Sequence, residues 1–127
     1  MSEAALWAAL ADPRDEHACF ACAMLLKKRG HTRLPLQLVD PFASRHALEL
    51  AHVRGLRALR DRRTQEPLIW YVENRTDDKD LDIIEVALDA LVALGRISRP
   101  FDLSSYLRSP HRTVRLLAYA VTALRVS

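Results

Sequence analysis

The chain has 127 residues, half of them hydrophobic, with only 6% aromatic and three glycines. That fits one domain, 1–127, whose core of Ala, Leu and Val favours closely packed helices; three scattered glycines exclude a Gly-rich phosphate loop. Charged residues make up 28% and the net charge is +3, which suits a soluble protein better than a dedicated nucleic-acid binder.

In chain order, "EAALWAAL" (3–10) reads as a short helix. Asp12-Pro13 then opens a longer one, "DPRDEHACFACAMLL", which closes with Lys27, Lys28 and Arg29 at its negative dipole end and Gly30 after it. A weak short helix, "RLPLQLV", is broken by Pro35. Asp40-Pro41 precedes "FASRHALELAHVRGL", which extends into "RALRDRR". "QEPLIWYVEN" is short; "DLDIIEVALDALVALG" follows a polar stretch and ends at Gly95. "FDLSSYL" and, after Ser109-Pro110, "HRTVRLLAYAVTAL" complete the chain. Asp and Ser are expected as N-caps, with Pro at the first helical position. Turn signals near 12, 40, 77 and 109 give a period of about 30 to 37 residues, which points to a helical solenoid.

The last segment resembles the second helix of a HEAT repeat: Ser109-Pro110 leads into Val114-Arg115 and the run Leu117 to Ala120. "DPRDEHACFACAMLL" is similar, with His17-Ala18 in place of Val-Arg. The resemblance covers most of the chain and is nearest to the short bacterial HEAT-like form. It implies an all-α, right-handed α-solenoid of about four helical hairpins, acting as a scaffold or adaptor for another protein through its inner long helices.

Matching "ALVALG" to "AVTALR" gives an offset of 30 and places Asp82, Glu85 and Asp89 on Arg112, Arg115 and Tyr119. In the same alignment Cys22 falls on Ala90 and Ala120, and Cys19 on Ala87 and Leu117. Each long helix then carries one narrow polar stripe: Arg14/His17, Arg45/Glu49/His52, Asp82/Glu85/Asp89 and Arg112/Arg115/Tyr119. Stacked in register, the last three form a charged ridge for a protein partner; the plainer alternative is a solvated face with weak ion pairs. The final helix stays apolar over most of its surface, so Leu116, Ala120 and Leu124 are expected to contact a second copy or another protein.

The basic bias is uneven: residues 1–63 carry 11 Lys/Arg against 7 Asp/Glu, and 64–127 carry 8 against 9. Arg54, Arg57 and Arg60, with Arg62 and Arg63, form a basic patch whose alternative use is nucleic-acid binding. No aromatic residues interleave with it to stack on bases, and arginines near a helix C-terminus also simply complement the dipole. The five histidines lack metal-ligand spacing, the acidic run "DDKDLDIIE" lacks the glycine of a calcium loop, and no catalytic constellation emerges. A non-enzyme with no cofactor and no metal is therefore expected. "CFAC" sits inside a helix with no strand before it, so both cysteines are expected as core residues rather than a redox pair. Two cysteines make no disulfide framework, no apolar run approaches the length of a membrane span, and no signal peptide is read, so the expected location is cytoplasmic.

Overall fold

The computed structural model describes residues 2–33, 38 and 40–124. Regular structure among them is helical: α1 (Glu3–Leu10), α2 (Ala18–Lys28), α3 (Arg45–Leu59), α4 (Gln65–Asn74), α5 (Leu81–Leu94), α6 (Ser104–Leu107) and α7 (Arg112–Leu124). Two 3-10 turns, Arg62–Thr64 and Asp78–Asp80, lead into α4 and α5. The short helix expected in "RLPLQLV" falls mostly on residues outside the described set, as do Arg125, Val126 and Ser127.

Three X-Pro pairs mark turns, but their prolines do not start helices. Asp12 and Asp40 accept the backbone N–H two residues on, at 3.0 and 2.9 Å, and Ser109 Oγ accepts from His111 N at 3.1 Å. These side chains close tight turns, and the helices begin later. Asp15 closes a second such turn with His17 N at 2.8 Å, which delays α2 to Ala18. Ser44 caps α3 by accepting from Ala47 N at 3.1 Å, and Ser2 caps α1 in the same way. Gly95 ends α5 at φ +80°, with its N–H on the carbonyls of Leu91 and Val92. Arg60 ends α3 at φ +49°, a left-handed position held without glycine.

The long helices pack in sequence order, α2 on α3, α3 on α5 and α5 on α7. Each of the shorter α1, α4 and α6 packs on the long helix that follows it. The most enclosed helix is α5, which touches α3, α4 and α7. Its Ile83, Ile84, Ala87, Leu88 and Leu91 are fully buried. Each large aliphatic residue there contributes about 1.5–3 kcal/mol by leaving water.

At the α2–α3 crossing, Gly55 faces Cys22. A Cβ on Gly55 would come within 2.6 Å of Cys22 Sγ, so this contact needs a residue without a side chain. Burial pushes the Cys22 thiol up to about 12, so it packs as a neutral apolar group. Tyr106 ties α6 to α4 with a 2.6 Å hydrogen bond from its hydroxyl to Val72 O.

Candidate functional site

The exposed surface of the long helices is built by periodicity. On α5, Asp82 and Asp89 are exposed and Glu85 is half-buried, at i, i+3 and i+7 and therefore on one face. On α7, Arg112, Leu116 and Tyr119 lie opposite the buried Val114, Ala118 and Val121, with Leu116 55% and Tyr119 57% exposed. Helix α3 meets the acidic stripe of α5 with two bases. The ring nitrogens of His46 lie 3.3 Å from Asp80 Oδ1 and 2.9 Å from Asp82 Oδ2, and Arg57 Nη1 donates to Asp89 Oδ2 at 3.4 Å. The hydrogen bond to Asp82, followed by that to Asp80, raises the His46 pKa above its ordinary value.

The stripe expected on α3 was Arg45, Glu49 and His52, and here the structure corrects the sequence reading. His52 is 0% exposed and cannot present to a partner. Its Nδ1 hydrogen-bonds Tyr71 Oη at 2.7 Å across the α3–α4 interface, and its Nε2 has no partner among the described residues. Burial pushes the imidazole down to about 4, so it is neutral at physiological pH. Glu49 is also turned inward: its side chain is only 12% exposed and accepts from Arg75 Nε at 2.8 and 2.7 Å. Arg45 is exposed, 3.7 Å from Glu49. The exposed residues of α3 are Arg45, Arg54, Arg57 and Ala58, with His46 half-buried against the start of α5.

The expected pairing of Asp82 and Glu85 with Arg112 and Arg115 is also absent among the described residues. Arg115 Nη1 donates to Ser109 O at 2.8 Å, closing the turn before its own helix. On α2, Arg14 precedes the helix and pairs with Asp12 at 3.2 Å, while exposed His17 lies 3.4 Å from Glu16.

The five-arginine segment does not form one face. Arg54 and Arg57 lie on the exposed side of α3, but the helix stops at Leu59 and Arg60 turns left-handed. Arg62 and Arg63 belong to the following 3-10 turn. Arg63 stacks 3.8 Å from the centre of the Trp7 ring and donates to Asp61 Oδ2 at 2.9 Å. Asp61 also receives Arg29 Nη2 at 2.6 Å. The Arg63 hydrogen bonds, reinforced by Arg29, hold the Asp61 carboxyl well below the usual carboxylate range. These arginines clamp α1 and α2 to the α3–α4 linker.

A cavity of about 300 Å³ opens where the start of α3 meets the end of α4, lined in part by Cys19, Leu48, Glu49, Trp70, Tyr71 and Arg75. Its chemistry is occupied internally. Arg75 neutralises Glu49 and lies 4.8 Å over the Trp70 ring, and burial raises the Cys19 thiol, which keeps it protonated. A second hollow of about 500 Å³ is walled by Arg62, Arg63 and Arg96, with Gln65 spanning it to Arg96 O and to Ser98 N. Among the described residues no group of three His, Cys, Asp or Glu side chains is placed to hold a metal ion, and no helix is long and apolar enough to cross a membrane.

Comparison of the chain with protein-family models, with curated proteins and with solved structures finds no match.

Proposed function

We propose that this protein is a HEAT-like helical-repeat module, a right-handed solenoid of about four hairpins, that binds another protein on the exposed faces of its long helices. The order of packing supports the solenoid reading: long helices contact their neighbours in sequence, and each short helix backs the next long one.

The observation that carries the binding reading is the surface shared by α3, α5 and α7. It holds a basic stripe (His46, Arg54, Arg57), an acidic stripe (Asp82, Glu85, Asp89) and then Arg112 beside exposed Leu116 and Tyr119. Alternating charge with two exposed large apolar groups suits a protein partner, because charge orients the encounter and apolar contact supplies binding energy. The catalytic alternative has less support, since Glu49 and Arg75 in the 300 Å³ cavity are paired with one another.

Affinity capture from native cells with the wild-type chain and with Asp82→Lys/Asp89→Lys tests the reading. A partner retained by the first and lost by the second, at unchanged helix content, supports it. Equal recovery by both refutes the role of this surface.

A further inference from the structure

The two ends of the helix stack differ in charge. Residues 103–124, which build α6 and α7, carry Arg108, Arg112 and Arg115 and no Asp or Glu. Arg112 makes no ion pair among the described residues, and Arg115 is engaged only with a backbone carbonyl. Residues 2–18, which build α1 and the turns before α2, carry Glu3, Asp12, Asp15 and Glu16 against Arg14 and His17, so the start of α2 is acidic while Lys27, Lys28 and Arg29 lie at its far end. Both ends also present apolar surface. Leu116 and Tyr119 stand out on α7, while α2 holds Phe20 half-exposed and α1 exposes Ala4, Ala5 and Ala8.

We infer that the α7 end of one chain docks on the α1–α2 end of a second copy, head to tail. The geometry repeats one already present inside the molecule. Neighbouring long helices α3 and α5 run side by side with the same polarity, so His46 at the start of one meets Asp80 and Asp82 at the start of the other. Carried one step further, a basic helix start again meets an acidic one: Arg112 and Arg115 face Asp15 and Glu16 of the second copy. Leu116 and Tyr119 then cover Phe20.

The two surfaces are different, so the contact is heterologous and adds copies in a row rather than closing as a two-fold dimer. Its charged part is exposed, so salt weakens it. The inference rests on the solenoid reading above and shares Arg112, Leu116 and Tyr119 with the proposed partner surface, but it does not rest on the acidic stripe of α5, which its test leaves untouched.

The experiment is sedimentation of the full chain over a wide concentration range at low and high salt, with circular dichroism to verify the fold. Wild type is expected to gain mass with concentration, less so in high salt. Leu116→Asp blocks one face and Phe20→Asp the other, each weakening association by at least about tenfold. Mixed together, the two variants form a one-to-one dimer and nothing larger, because each retains the face that the other lacks. If either variant misfolds, Arg112→Glu and Glu16→Lys replace them; each alone weakens association, and the two in one chain restore it. A wild type that stays monomeric throughout, or blocked variants whose mixture gives no dimer, overturns the inference. The Asp82→Lys/Asp89→Lys variant is expected to associate like wild type, which separates failure here from failure of the partner surface.

Discussion

The α3–α4 and α5–α7 interfaces reach burial by different means. Helices α5 and α7 pack together with aliphatic buried residues, Ile83, Ile84 and Leu88 on one helix and Val114, Ala118 and Val121 on the other, and none of their charged residues is buried. Between α3 and α4 the contact includes a histidine on a tyrosine and a carboxylate on an arginine. The aliphatic interface loses only packing when altered. The polar one is also sensitive to pH and to the loss of either partner, because an unpaired buried polar group costs more than its hydrogen bond contributes.

The largest expected effect is on the aliphatic side. Leu88→Ala should cost about 2–5 kcal/mol by leaving a cavity, read as a shift in the urea midpoint; a loss under 1 kcal/mol would show that α5 is less enclosed than described. Next is the acid response of the polar side. His52 is depressed to about 4 against an ordinary 6.5, so the unfolded chain takes up a proton that the folded chain refuses. Stability from this group is therefore complete above pH 6.5 and falls between there and about 4, by up to about 3 kcal/mol. His46 has the opposite sign: its raised pKa adds stability below 6.5, lost as the pH climbs through the folded value. His46→Gln should thus steepen the acid loss measured by thermal melts, and a shallower profile would contradict the assignment of the two histidines.

Smaller again is Arg75→Met, which strands the Glu49 carboxylate at a cost of about 1–3 kcal/mol. Adding Glu49→Gln should recover part of that loss, and strict additivity in the double-mutant cycle would mean the pair is not coupled. Smallest is Arg60→Gly, expected to stabilise by about 0.5–1 kcal/mol by relieving the left-handed backbone at the end of α3.

The same contrast explains what was legible in the sequence. Helices α1 and α4 match their expected spans, and α5 and α7 match within a residue at each end; for α5 and α7 the signals are local, the apolar period of both and Gly95 after α5. The stripe on α3 was misplaced because the partners of Glu49 and His52 lie 26 and 19 residues away, Arg75 just past the end of α4 and Tyr71 on it, beyond any local pattern. One signal was present: Glu49, His52, Leu56 and Leu59 share helical spacing, which put both polar residues on the apolar face. The late start of α2 has a local cause, since Asp12 and Asp15 each fold a turn on their own backbone where a helix N-terminus was expected.

Both tryptophans lie beneath guanidinium groups, Trp7 under Arg63 and Arg29, Trp70 under Arg75. The intrinsic fluorescence of this chain therefore has one emitter at the α1 clamp and one at the α3–α4 ion pair. Trp7→Phe and Trp70→Phe would each leave a single reporter, so the opening of the first helix and the opening of the polar interface become separately visible in one optical measurement.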